Sequence, residues 1–170
     1  IIVKGKGGHA ASPHLAIDPV VISAQVISAV QTIISRSTDP VDKALISITK
    51  INAGTAYNVI DDQVTMGGTI RTFKKDTRSY IEKRLNEICK GIAEAHGAEI
   101  KIQFDLVNKY PPTINSKKES IFASNVAKDL VGEDKVITDI DPSMGGEDFS
   151  YLLEKKPGSY LYLGQGDSEH

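Results

Sequence analysis

Residues 1–26, "IIVKGKGGHAASPHLAIDPVVISAQV", carry the signals from which the fold is read. The β-branched run at 1–3 is stopped by Gly5 and reads as a strand. Asp18 stands where a helix cap belongs, and Pro19 at the first helical position gives up no intrahelical hydrogen bond. Ile22, Val26, Val30 and Ile33/Ile34 follow at helical spacing, and Thr38-Asp39-Pro40 ends the helix. Between strand and helix lies a glycine-rich hinge with His9 and His14. The residues leave two readings of His9 open. It is a turn histidine bonded to local backbone, or a functional side chain on a hinge whose glycines permit close backbone approach.

Working outward, "KALISITKI" (43–51) alternates as a strand, "AGTAYNVIDD" (53–62) reads as loop, and "QVTMGGTIRTF" (63–73) is a further strand. Its Gly67-Gly68 pair marks a bulge or a close backbone approach. Asp76 is placed as the cap of a second helix, with Ile81, Leu85, Ile88 and Ile92 on one stripe, Cys89 beside it and Gly97 at a left-handed stop. "EIKIQFDLV" (99–107) alternates as a strand. The order β-α-β-β-α-β predicts an α+β fold of the ferredoxin-like type, with two helices on one face of a four-stranded antiparallel sheet. The prolines of "NKYPPTINS" (108–116) place a boundary, giving domains at 1–108 and 109–170. Beyond it, Ser116 and Glu119 form a capping box for a helix with Phe122, Val126 and Leu130 inward and Gly132 at its stop. "KVIT" (135–138) reads as a short strand, and residues 141–164 read as loop, short helix, turn and strand. About 60 residues of this kind do not close a core alone, so this part is expected to pack on something else.

Composition narrows the function classes. The net charge is −2 and the pI about 6.1, which argues against a broad basic surface for nucleic acid. RNA-binding modules of this topology carry stacking aromatics on their central strands; here those strands offer Phe73 and little else. The single cysteine, Cys89, excludes an internal disulfide and fits a reducing compartment, so a cytoplasmic location is expected. No apolar run approaches the roughly 20 residues that cross a bilayer, and no membrane partner is expected. The opening "IIVKGKGG" has neither initiator Met nor signal-peptide layout, which suggests the middle of a longer protein. The fold alone also allows a non-catalytic dimerisation or small-molecule-binding module, with strand 43–51 as an edge for a second copy.

Three stretches resist that bland alternative together: "GKGGHAASPHLAIDP" (5–19), "NVIDDQVTMGGTIRTF" (58–73) and "GGEDFSYLLEKKPG" (145–158). In order and spacing they resemble the M20 metallopeptidase/amidohydrolase family, in particular its aminoacylase-like branch of hippurate hydrolases, N-acyl-amino-acid amidohydrolases and N-acetyldiaminopimelate deacetylases. The resemblance implies a ferredoxin-like lid, usually the homodimer contact, inserted into a catalytic α/β domain that binds two divalent metal ions: Zn, or Mn, Co or Ni. It implies hydrolysis of the amide of an N-acyl amino acid. It further implies that most metal ligands and the general base belong to the half N-terminal of the lid. No metal ligand is therefore assigned here, no metal is expected in this fragment, and the 170 residues alone are expected to be inactive. His170 falls near the place of the family's last metal histidine.

The resemblance further implies that His9 reaches from one lid into the other subunit's site and polarises the scissile carbonyl. Asn58 and Arg71 would bind the substrate's carboxylate. An Arg fork matches a carboxylate; the bland alternatives are a surface salt bridge for Arg71 and a turn role for Asn58. The Gly145 and Gly146 backbone would touch substrate, with Glu147 and Asp148 shaping the loop. His14 would orient the loop before the helix, and His96 ends a helix where a cation is favourable.

Overall fold

The computed structural model describes residues 1–105 and 110–166. The chain divides into two compact units, Ile1–Val107 and Asn108–His170. In the first, β1 (Ile2–Lys4) and the two-residue β2 (Gly8–His9) lead through a 3-10 turn at Pro13–Leu15 to α1 (Pro19–Thr32). A π-helical turn, Ile33–Ser37, ends that helix. Then come β3 (Ala44–Asn52), β4 (Val59–Ile60), β5 (Gln63–Thr72), α2 (Lys75–His96) and β6 (Glu99–Lys101). Four strands form one antiparallel sheet in the spatial order β3-β5-β1-β6.

One face of that sheet and the two helices make the core. Val3, Ile46, Val64 and Met66 from the strands meet Ile22, Val26, Val30 and Ile33 from the first helical segment and Ile81, Leu85 and Cys89 from α2. The Asp18 carboxylate caps α1, accepting from the Val20 amide at 2.8 Å and the Val21 amide at 3.4 Å. Gly97 stops α2 with φ +65°. The helical stretch Pro19–Ser37, with mean hydropathy 1.3, is long and apolar enough to cross a bilayer by length and composition, contrary to the expectation of no such run. Its residues Ile22, Val26, Val30 and Ile33 line the core.

Several expectations are corrected. The seam of α2 runs through Cys89, with Ile88 and Ile92 at its partly buried flanks. Burial pushes the Cys89 thiol up to about 11, so it stays protonated and inert. Helix α2 starts one residue before Asp76. Its cap position is Lys74, which makes no side-chain cap bond, and Asp76 lies inside the first turn. The carboxylate that serves this end is Asp42 from the loop before β3. It accepts from the Thr77 hydroxyl at 2.8 Å and pairs with Lys74. The Gly67-Gly68 pair is both things expected of it. Opposite it the register of β3 shifts between Ile48 and Lys50, and a Cβ on Gly68 would lie 2.1 Å from the Ser47 carbonyl oxygen. The extra residue, Thr49, reverses the alternation, so that Ile51 faces buried Met66. The last strand covers only Glu99–Lys101; Ile102 and Phe104 still pack on the core, and residues 106–107 lie outside the described residues. The stretch read as loop at 53–62 contains β4.

The second unit holds α3 (Lys117–Val131), a 3-10 turn at Glu133–Lys135 and α4 (Phe149–Leu153). Among its described residues no hydrophobic side chain is buried. Phe122, expected inward, is 70% exposed, and Val126 and Leu130 are exposed with it. Their helical stripe has formed without a surface to cover it. Residues 135–138 and 159–164 are not strands, because a lone extended segment has no ladder to join. Instead the Asn115 side chain clamps Tyr160, donating to its carbonyl at 2.9 Å and accepting from its amide at 2.7 Å. The capping box is not made: the Ser116 hydroxyl accepts from the Gly158 amide at 3.2 Å rather than from its own helix.

Ile81→Ala should cost about 2–5 kcal/mol in urea unfolding, because it opens a cavity under α2. Leu130→Ala should cost less than about 0.5 kcal/mol in the same chain, because its side chain is already in water. Stability should also depend on pH. The bonds from Lys74 and Thr77 hold the Asp42 carboxyl below its ordinary 3.8. Its contribution is therefore present above that ordinary value and is lost as pH falls through the folded value. Asp42→Asn should lower the melting temperature at about pH 7, and the gap to the unchanged chain should narrow as pH falls below about 4. A gap independent of pH would remove the Asp42 carboxylate from this role.

Candidate functional site

The β1–β5 ladder does not stop with the sheet. Lys4 faces Gln63, the Gly5 amide donates to the Asp62 carbonyl at 2.8 Å, and β2 then pairs with β4 as Gly8 opposite Ile60 and His9 opposite Val59. The result is a two-stranded arm that carries His9 beyond the end of the four-stranded sheet. Backbone crowding at its root explains two of the glycines. A Cβ on Gly5 would lie 2.0 Å from the Ile17 carbonyl oxygen, and one on Gly7 would lie 2.9 Å from that of Ile60. Lys6 and Ile17 exchange two hydrogen bonds of 2.9 Å across the same crossing.

Along the arm runs an open depression of about 610 Å³, lined by residues 7–9 and 59–62. His9 is exposed at its edge. Its Nδ1 accepts a hydrogen bond from the Ala11 amide at 3.1 Å, so the local backbone bond of the bland reading exists. The bond engages one ring nitrogen. Asn58 adjoins His9 through the Ala10 amide, which donates to the Asn58 carbonyl at 3.0 Å. The Asn58 side chain is exposed and makes no hydrogen bond among the described residues. No residue other than glycine has positive φ there, so the turn does not need Asn for its conformation. The Thr55 hydroxyl braces this loop by donating to Asp61 at 2.8 Å.

Arg71 lies elsewhere. It stands half-buried on β5 opposite Leu45, donates from Nη1 to the Ile70 carbonyl at 3.2 Å, and makes no ion pair among the described residues. At about 3.3 Å per residue, the strand from Gln63 to Arg71 spans about 26 Å, and the His9 arm extends from the Gln63 end. The first unit thus brings His9 and Asn58 together and keeps Arg71 apart from both.

His14 sits exposed in the 3-10 turn. His96 faces Gln25, Nε2 to Oε1 at 2.8 Å, and ties the end of α2 to α1. In the second unit Gly145 and Gly146 are exposed ahead of α4. The Gly145 amide already donates to the Ser143 hydroxyl at 3.1 Å. Glu147 is engaged by the Tyr160 hydroxyl, whose pKa is raised by burial first and by the Glu147 charge second. Among the described residues no three His, Cys, Asp or Glu side chains gather as a metal site, so they offer no ligand set for the implied ions. His170 lies outside the described residues. Reading by sequence missed the arm itself, because two-residue strands carry no periodicity; the one signal available was the run of glycines at its root.

A family model described as the Peptidase dimerisation domain of the M20 peptidases matches residues 1–97. The chain belongs to the M20 amidohydrolase family. It is 36% identical over 169 residues to the N-acetylcysteine deacetylase of Bacillus subtilis, covering 99% of this chain and 43% of that protein. It is 40% identical over 163 residues to the hippurate hydrolase of Campylobacter jejuni, covering 96% and 42%. Among solved structures it is similar to the YXEP protein of Bacillus subtilis, described as a dinuclear metal binding peptidase from the M20 family. The TM-score is 0.65 and the identity 33%, over 92% of this chain and 37% of that one. The chain thus spans about two fifths of the length of these relatives.

Proposed function

We propose that this chain is a segment of a metal-dependent amidohydrolase that cleaves the amide of N-acyl amino acids. In this reading residues 1–108 are a ferredoxin-like lid and dimerisation domain, and residues 109–170 are a return into the catalytic domain. The strand order and the two helices on one sheet face support the first assignment. The uncovered stripe of Phe122, Val126 and Leu130 supports the second. The nine-residue β3 at the sheet edge offers unpaired backbone groups to a second copy.

One observation carries the mechanism: His9 and Asn58 share one end of the lid, while Arg71 lies about 26 Å along the sheet. No single N-acyl amino acid spans that distance. A homodimer resolves it, with His9 and Asn58 supplied by one lid and Arg71 by the other. His9 then donates to the carbonyl oxygen as negative charge develops on it, and the Arg71 fork holds the free carboxylate beside the Asn58 amide. Metal ions bound by the parent enzyme would supply an activated water, and no residue described here is assigned to hold them. The family resemblance assigns the Gly145 and Gly146 backbone a substrate contact.

The purified 170-residue chain should show no hydrolysis of hippurate or N-acetyl amino acids with added Zn, Mn, Co or Ni. In the full-length protein His9→Ala should lower kcat by about 10²–10³ with little change in KM. Arg71→Ala should raise KM by about tenfold or more. A His9→Ala enzyme within a few-fold of the unchanged kcat would remove His9 from the chemistry.

A further inference from the structure

We propose that the turn at residues 9–12 fixes the neutral His9 imidazole as an Nε2–H donor, with the Ala11 backbone amide as the positioning group. Three consecutive amides after His9 each have an acceptor. Ala10 donates to the Asn58 carbonyl at 3.0 Å, Ala11 to His9 Nδ1 at 3.1 Å, and Ser12 to the His9 carbonyl at 2.8 Å. A ring nitrogen accepts only when it carries no proton, and a neutral imidazole has one proton to place. With Nδ1 accepting, that proton is on Nε2. Nε2 makes no hydrogen bond among the described residues, so the donor is left for a ligand.

The arm adds a second constraint. Because the Ala10 amide goes to Asn58, His9 and Val59 form a non-hydrogen-bonded cross-strand pair, the closer of the two antiparallel arrangements. Val59 therefore stands directly beside His9 on the same side of the ribbon. The ring is held at its Nδ1 edge by the turn and flanked by an apolar neighbour. What it presents is a proton donor and no basic lone pair. On the function proposed above, this makes His9 an oxyanion donor and excludes it as the general base, for which Nε2 would have to accept. The catalytic meaning rests on that reading; the fixed tautomer does not.

The test uses the 170-residue chain labelled with ¹⁵N and needs no activity. Long-range ¹H–¹⁵N spectra, at a pH where the imidazole is neutral, report which ring nitrogen bears the proton. We expect His9 as Nε2–H alone, with a coupling across the hydrogen bond from the Ala11 amide to Nδ1. A short histidine peptide, which shows a mixture of tautomers, is the reference. Ala11→Pro removes the donor and should move His9 towards that mixture; if this variant does not fold, the coupling in the unchanged chain decides. A peptide-like mixture or an Nδ1–H ring in the folded unchanged chain would overturn the inference. Full activity of a full-length His9→Ala enzyme, with the Nε2–H form intact in the unchanged chain, would overturn the functional reading instead.

Discussion

The pairing of residues 2–9 with residues 59–65 is the constraint on which the rest depends. It begins inside the sheet with Val3 opposite Val64, at the centre of the core, and ends outside it with His9 opposite Val59. The same ladder therefore serves the core at one end and carries His9 at the other. Its inner half is stabilised by apolar burial, at about 1.5–3 kcal/mol for each fully buried side chain of this size. Its outer half exists because Gly5 and Gly7 leave room for the carbonyls of Ile17 and Ile60. Larger residues there would push α1 and the loop before β5 away from the arm, and the reach of His9 would change with them.

The two units differ in how their apolar residues are used. In the first, the helical and strand patterns converge on one closed core. In the second, α3 forms with its apolar stripe in water, and the chain after α4 is fastened by Asn115 and Ser116 rather than by a sheet. Such a segment gains its stability from a surface that it covers. This agrees with a chain that spans about two fifths of its relatives' length.

Local chemistry was legible in the sequence, and features that depend on a distant partner were not. Asp18-Pro19 and Gly97 act within a single turn of helix and stand where their chemistry requires. The stripes of α1 and α2 are visible as period, although period alone puts Ile88 and Ile92 on the α2 seam where the fold puts Cys89. Asp76 and Ser116 look like caps in one dimension. In the fold, Asp42 from another loop serves α2, and Gly158 claims the Ser116 hydroxyl. The strands expected at 135–138 and 159–164 failed because β-structure needs a neighbour that sequence pattern does not supply. For His9 the two readings do not exclude each other, because the ring has two nitrogens. One serves the turn, and the other is available for chemistry. The separation of Arg71 from His9 could be read only once the direction of the arm was known.

The central claim is that a site is completed only by two lids. It is tested most directly by mixing two full-length variants, His9→Ala and Arg71→Ala, each impaired alone, and allowing subunits to exchange. If His9 and Arg71 come from different lids, a mixed dimer contains one site with both residues intact, and activity should reappear on mixing. If both act from the same lid, every site in the mixture has lost one of them, and no recovery above the two separate variants would contradict the account.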